Sequence, residues 1–255
     1  MRCLTAAALM SLALIAPTAY GWDKPISGYE FLPDEVKQMQ DDVMQNPGMF
    51  TVDEGSKLFH TAGYNGKSCA SCHGENGSKF DRKAIAAYPV YSAERKGPLT
   101  LQQRINDCRE RREDEFPLPY DDAELVKLET YVRFLARGQP VHVDVSGPLK
   151  PYYEAGEKLY HTRIGQLDVA CTHCHDRYVG AHLRDQILNQ GQSNAFPAFR
   201  LLSGDVSSLH RKFRDCFATL RAMPYPVGSD EYVNLEVYLN ARGNGLPIET
   251  PGIRR

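Results

Sequence analysis

The sequence lacks an excess of charge of either sign, because 30 lysine and arginine residues stand against 32 aspartate and glutamate residues. It also lacks a basic tail and any low-complexity tract. The composition therefore gives no indication of a nucleic-acid-binding protein. Strand patterns are weak along the whole chain, whereas apolar residues recur at helical spacing, and we predict a mainly α fold.

Long hydrophobic runs are also scarce, and the most prominent one covers residues 4–16 at the N-terminus. This run is too short for a membrane span, and the small residues that follow it, up to Gly21, suit a signal peptidase. We therefore predict a cleaved secretory signal over residues 1–21, with Cys3 removed and no membrane anchor in the mature chain. A retained signal-anchor is the alternative.

Two copies of the pattern Cys-x-x-Cys-His are the most specific feature that the sequence contains. This spacing is that of covalent c-type haem attachment, in which both thiols bind the haem vinyl groups and the histidine ligates the iron. We therefore predict two covalently bound c-type haems. The residues that would attach and ligate them are Cys69, Cys72 and His73 in the first motif and Cys171, Cys174 and His175 in the second.

A bare Cys-x-x-Cys pair belongs more often to a zinc site or a redox disulfide. Here each pair carries its own histidine and sits in its own similar segment, which argues against convergence of the pairs on one metal ion. Covalent haem in an exported protein indicates a bacterial periplasm.

The two halves of the chain repeat one another in order, which indicates an internal duplication. The matching segments are 55–61 with 156–162, 104–108 with 212–216, 116–119 with 223–226, and 124–131 with 231–238. In each half a short helix precedes the haem motif, and its glycine, Gly55 or Gly156, predicts the close approach of another helix. A longer helix with an apolar stripe ends each half.

Crossing terminal helices around a Cys-x-x-Cys-His motif resemble the class I cytochrome c fold. We therefore predict two tandem class I cytochrome c-like domains, residues 22–140 with the first haem and residues 150–255 with the second. Proline and glycine at the ends of the intervening segment predict a linker over residues 141–149.

The second ligand of each iron decides whether such a domain only carries electrons. An electron-carrying class I domain supplies methionine, but the first half has no methionine after His73. Cys108 and Cys216 take matching positions after the two motifs, and we predict that each ligates its own iron. Three alternatives stay open: a disulfide between these two cysteines, ligation by Met223 in the second half, and ligation by His142 in the first.

Basic residues surround Cys216 but are fewer before Cys108, where Arg104 takes the position that matches Lys212. On a helix, Lys212 lies one turn before Cys216 on the same face. A cation there lowers the pKa of the thiol and attracts an anion, so the second half is suited to sulfur chemistry. An exposed basic helix face is the alternative.

Several segments of the second half carry a family resemblance: Arg214-Asp-Cys216, Arg221-Ala-Met-Pro-Tyr-Pro226, residues 228–238 and Pro251-Gly-Ile-Arg-Arg255. Together with both haem motifs and both downstream cysteines, they resemble the SoxA family, the dihaem subunits of the thiosulfate-oxidising SoxAX cytochromes. The resemblance covers essentially the whole mature chain.

The resemblance implies an L-cysteine S-thiosulfotransferase, which joins thiosulfate oxidatively to a cysteine of the carrier protein SoxYZ and passes the electrons through haem to SoxX, a small monohaem partner. It implies that Cys216 is catalytic and can exist as a persulfide. It also implies that Lys212 binds the substrate, where the family commonly has arginine. Arg242, in the last helix, is a second candidate for substrate binding.

Two other functions stay open at this point. One is a thiosulfate dehydrogenase that forms tetrathionate, and the other is a plain dihaem electron-transfer cytochrome. No tandem basic cluster precedes Cys108, and we interpret the first haem as an electron-storing or vestigial centre.

Overall fold

The computed structural model describes residues 24–184 and 186–255. The predicted signal over residues 1–21 lies outside these described residues. Helices dominate the described chain, as predicted. They are α1 (Asp34–Asp41), α2 (Met49–His60), α3 (Cys69–His73), α4 (Arg82–Ala86), α5 (Leu101–Cys108), α6 (Ala123–Leu135), α7 (Lys150–His161), α8 (Leu209–Thr219) and α9 (Asp230–Arg242). None of the helices in the described ranges is long and apolar enough to cross a membrane.

The strands are short, with two or three residues each. They are β1 (Val90–Ser92), β2 (Gly97–Leu99), β3 (His182–Leu183), β4 (Gln186–Ile187), β5 (Ala198–Arg200), β6 (Asp205–Ser207) and β7 (Gly252–Arg254). Strands β1 and β2 pair antiparallel, as do β3 and β4. Strand β5 lies between antiparallel β6 and parallel β7, so the C-terminal segment joins a sheet of the second half.

A helix pair forms the centre of each half, α2 against α6 in the first and α7 against α9 in the second. Each pair meets at a glycine. A Cβ on Gly55 would lie 2.1 Å from the carbonyl oxygen of Lys127, and a Cβ on Gly156 would lie 2.0 Å from that of Asn234. The predicted close approach is therefore present in both halves.

Helix α5 ends at Cys108, and helix α8 contains Cys216. Both helices begin at matching capping residues. The Thr100 hydroxyl accepts a hydrogen bond from the backbone N–H of Gln103 and caps α5. The Ser208 hydroxyl accepts one from the N–H of Arg211 and caps α8. Because such caps satisfy N–H groups that have no partner within the helix, they fix where each helix begins.

A polar network with matching members is buried between the two halves. In the first half, Gln102 donates to Glu129 at 2.8 Å and accepts from the N–H of Asp121 at 2.9 Å. In the second half, His210 hydrogen-bonds Glu236 at 3.0 Å and accepts from the N–H of Gly228 at 3.0 Å. The equivalent residues of the two halves therefore make equivalent contacts.

Residues 141–149, predicted as a linker, bury three of their side chains. Val141, Val143 and Leu149 belong to the core around α2 and α6. The backbone N–H and carbonyl of Val143 bond to the amide of Asn244 at 2.7 and 3.0 Å. This segment therefore holds the two halves against each other.

Both ends of the described chain meet at Gln40 of α1. Its side-chain oxygen accepts hydrogen bonds from the N–H of Ile253 at 2.8 Å and from the guanidinium of Arg254 at 2.7 Å. This contact holds α1 and the residues before it on the second half, where Phe31 and Val36 line the cavity described next.

Candidate active site

A cavity of about 310 Å³ lies in the second half beside the second Cys-x-x-Cys-His motif. Both motif cysteines and His175 line it, and α8 contributes Lys212 and Cys216. Most of the remaining surface is apolar and is lined by side chains including Phe31, Val36, Leu209, Phe213, Phe217, Leu235 and Leu239. The cavity therefore combines haem-attachment residues with an apolar lining.

The histidine of the second motif is oriented by its surroundings. Its Nδ1 atom lies 2.7 Å from the carbonyl oxygen of Asn189. Since this oxygen can only accept, Nδ1 donates, and Nε2 is the ring nitrogen that faces the cavity. Gly191 has a φ of +72°, and a Cβ there would lie 3.0 Å from the His175 ring. The loop after the motif thus fixes the ring with Nε2 as the atom able to ligate a metal.

Cys216 lies against His175, and its thiol hydrogen-bonds the imidazole. Burial raises the pKa of this thiol. The charge of Lys212, the hydrogen bond with His175 and the charge of Arg200 lower the pKa, and together they outweigh burial. The net effect holds the pKa of Cys216 below its usual value. The two side chains that meet here come from the motif and from α8, and they face each other at the cavity.

Among the residues that the structure describes, four lysine and arginine side chains line the cavity: Lys212, Arg200, Arg254 and Arg255. The parallel pairing of β5 with β7 sets Arg200 directly beside Arg254. The sequence singled out Lys212 and the C-terminal arginines but not Arg200. No signal in the sequence could have found it, because a three-residue strand has no distinct pattern and its pairing with β7 is long-range.

Arg242, the second candidate for substrate binding, lies elsewhere. It forms an ion pair with Asp176, its guanidinium lies 4.9 Å from the centre of the Tyr160 ring, and it hydrogen-bonds Tyr238. The cavity lining does not include it. The structure therefore brings Lys212 to Cys216 and leaves Arg242 with the residue that follows His175.

The first motif has a different environment. The His73 ring stacks on Phe80 with 4.2 Å between ring centres. Cys108, at the end of α5, lies near Cys69 of the motif, and Arg104 donates to the Tyr88 hydroxyl at 3.2 Å. Burial raises the pKa of Cys108 by more than Arg104 lowers it. The two cysteines thus occupy matching positions in unequal surroundings.

The three alternatives to ligation by Cys108 and Cys216 have no support in the geometry. Cys108 and Cys216 are both free thiols, and each lies beside a different motif. The Met223 side chain is 89% exposed. His142 is exposed, and its N–H bonds to the carbonyl of Ala86.

Comparison with known proteins agrees with this geometry. A family model described as "SoxA/TsdA, cytochrome c domain" matches residues 54–141. The L-cysteine S-thiosulfotransferase subunit SoxA of Pseudaminobacter salicylatoxidans is 38% identical over 242 residues, which are 94% of this chain and 84% of that protein. The chain belongs to the SoxA family. A SoxA subunit from Paracoccus pantotrophus is 34% identical over 244 residues, 94% of this chain and 83% of that protein.

A solved structure supports the same assignment. The crystal structure of SoxXA from P. pantotrophus matches with a TM-score of 0.86 and 31% sequence identity, over 92% of this chain and 88% of that chain. The likeness extends over both halves of this SoxA-family chain, whereas the matched cytochrome c family model covers the first half.

The cytochrome c domain of the SoxA family implies covalently bound c-type haem, and the residues of the cavity fit this group. Cys171 and Cys174 lie at its wall. The Nε2 atom of His175 and the thiol of Cys216 would be the candidate ligands of the iron. An apolar lining suits the macrocycle.

Proposed function

We propose that this SoxA-family chain is the dihaem cytochrome subunit of an L-cysteine S-thiosulfotransferase. The reaction joins thiosulfate to a carrier thiol: R–SH plus S₂O₃²⁻ gives R–S–S–SO₃⁻, one proton and two electrons. The observation that carries the proposal is that Cys216 shares one cavity with the second haem-attachment motif and with Lys212.

We assign the haem-binding residues of each half from their motifs and neighbours. Cys171 and Cys174 would attach the second haem, with His175 and Cys216 as iron ligands. The corresponding residues for the first haem are Cys69, Cys72, His73 and Cys108. When bound, haem supplies an acceptor for single electrons.

Cys216 is the proposed catalytic residue. As a thiolate it can form a sulfur–sulfur bond with the outer sulfur of thiosulfate, and this bond formation releases the two electrons of the overall reaction. The carrier thiolate can then attack that outer sulfur, which moves the thiosulfonate group to the carrier and releases the Cys216 thiolate. Lys212, one turn earlier on α8, holds a positive charge where the substrate is negative. The lowered pKa of the Cys216 thiol favours the thiolate that this role needs.

The proposed architecture is two tandem class I cytochrome c-like domains, residues 22–140 and 150–255, derived from a duplication. The matching helix pairs, the matching close contacts at Gly55 and Gly156, and the matching polar networks support it. The linker of residues 141–149 would then be a packed connection. We place the protein in the periplasm, because c-type haem and the predicted signal over residues 1–21 both suit export.

The proposed partners are a small monohaem cytochrome, SoxX, and the carrier protein SoxYZ as the substrate that receives thiosulfate. The likeness to the SoxXA structure supports the first. The name of the relatives supports the second, since it describes a transfer to L-cysteine.

The proposed function can be tested with the purified complex of this chain and the partner cytochrome. We expect thiosulfate to reduce the haems with the carrier protein present, and mass spectrometry to find the thiosulfonate group on the carrier cysteine. Tetrathionate formed without any carrier would instead indicate the dehydrogenase. Equilibrium electron exchange with no sulfur product would indicate a plain electron carrier.

A further inference from the structure

Arg200 is a buried guanidinium group that lines the cavity of Cys216. It lies on β5 and is only 8% exposed. Among residues 24–184 and 186–255, no carboxylate forms an ion pair with it. The charge of exposed Asp215 acts on it without such a contact. Because a buried charge without a partner is costly, this position suits an anionic ligand.

Two other cationic groups near the site have acidic partners. Arg254 donates to Glu249 at 2.7 Å and to Gln40 at 2.7 Å. Arg211, beside Lys212 in sequence, lies 3.4 Å from a carboxylate oxygen of Asp121. Lys212, like Arg200, has no ion pair with any acidic side chain that the structure describes. Arg200 and Lys212, which have no acidic partner among the described residues, therefore line the same cavity as Cys216.

The charges of Arg200 and Lys212 both reach the sulfur of Cys216. They come from different elements, since Arg200 is held on β5 by the sheet and Lys212 projects from α8. A ligand between them would be held from two directions next to the thiol. Two cations placed on different elements around one thiol suit a small oxyanion.

We propose that Arg200 and Lys212 together bind the sulfonate end of thiosulfate and hold its outer sulfur at Cys216. This inference rests on the proposed function and adds a second binding residue to it. The planar guanidinium of Arg200 can donate two parallel hydrogen bonds to two sulfonate oxygens. The ammonium of Lys212 supplies a point charge for the third sulfonate oxygen. It cannot donate the two parallel hydrogen bonds that a guanidinium donates.

The test uses the complete haem-containing complex with its monohaem partner, assayed with thiosulfate and carrier protein. We expect Arg200→Gln to raise KM for thiosulfate about 10- to 100-fold, as expected for the loss of a charge-assisted pair, with a smaller change in kcat. Arg200→Lys keeps the charge but loses the fork, so its KM lies between those of the wild type and Arg200→Gln. Arg214→Gln removes an equal charge from the exposed face of α8 and leaves KM unchanged.

Haem content and haem potential show which of two anions Arg200 binds, thiosulfate or a carboxylate of the haem. A carboxylate of the second haem is the other negative group that Arg200 could meet. An unchanged KM in Arg200→Gln overturns the inference, and a reduced haem content or shifted haem potential with unchanged KM assigns Arg200 to that carboxylate instead. If the wild-type complex does not turn over thiosulfate with the carrier, the proposed function fails, which is a separate result.

Discussion

Gly156 packs against the carbonyl oxygen of Asn234 so closely that a Cβ on the glycine would lie 2.0 Å from that oxygen. The backbone of α9 cannot move away without separating α7 from α9, the two helices that frame the second half. Gly55 has the same relationship with Lys127 in the first half.

Gly156→Ala is therefore expected to destabilise the protein by about 1–3 kcal/mol, the usual cost of forcing extra atoms into a packed contact. The free energy of unfolding, measured by urea denaturation of the holoprotein, checks this. Gly55→Ala should lower the free energy of unfolding by a similar amount. Gly147→Ala is the control, because nothing lies within 4 Å of a Cβ at that position. Equal stabilities of the Gly156 and Gly147 variants would contradict the predicted packing.

Glu129 makes stability depend on pH. Burial and the charge of Glu236 raise its pKa to about 7, against the opposing effects of Gln102 and Arg133, while Asp121 raises it slightly. The folded protein therefore keeps a proton that the unfolded chain releases above its ordinary pKa. The free energy of unfolding should fall as pH rises from about 4.5 to about 7, by up to about 3 kcal/mol.

Glu129→Gln removes this titration, so its stability should change less with pH over the same range. Denaturation at several pH values compares it with the wild type and with Glu124→Gln, a change at an exposed position of the same helix. Parallel pH profiles for Glu129→Gln and the wild type would show that Glu129 is ionised in the folded protein.

The two downstream cysteines should differ in function. Cys216→Met offers a thioether to the iron but no nucleophilic thiol, and we expect sulfur transfer to the carrier to fall at least about 100-fold. Cys108→Met makes the same change at the matching position, and we expect turnover within a few-fold of the wild type. Steady-state rates of carrier modification measure both. Equal losses in the two variants would make the first haem an essential relay.

Lys212 is predicted to act through its charge. Lys212→Met should raise KM for thiosulfate about 10- to 100-fold, whereas Lys212→Arg should retain binding because it keeps the charge at the same turn of α8. Thiosulfate titrations of the reaction rate test this pair. A Lys212→Met variant with the KM of the wild type would remove Lys212 from the binding site.

Much of the fold could be predicted from local sequence patterns. The glycines at 55 and 156 and the apolar stripes of α6 and α9 are short-range signals, and the structure has the helix crossings that they predict. The repeat also predicted which residues would be equivalent, so the shared positions of Cys108 and Cys216 followed from alignment of the halves.

Other parts depend on long-range pairing that no local pattern records. Arg200 reaches the cavity because β5 pairs with β7 from the other end of the second half. Val143, in a segment with linker-like proline and glycine, is buried because Asn244 satisfies its backbone. Arg242 lies in the expected helix, but its partner Asp176 could not be identified from spacing alone.

The most direct test of the account is the mass of the Cys216 peptide from the native complex. Trypsin cleaves after Arg214 and Arg221, which releases a short peptide with Cys216 as its only cysteine. We predict that this peptide carries additional sulfur, as a persulfide or after incubation with thiosulfate and an electron acceptor. The Cys108 peptide, released between Arg104 and Arg109, serves as the internal control and should stay unmodified. A Cys216 peptide that never gains sulfur, or that is found disulfide-linked to Cys108, would contradict a catalytic role for Cys216.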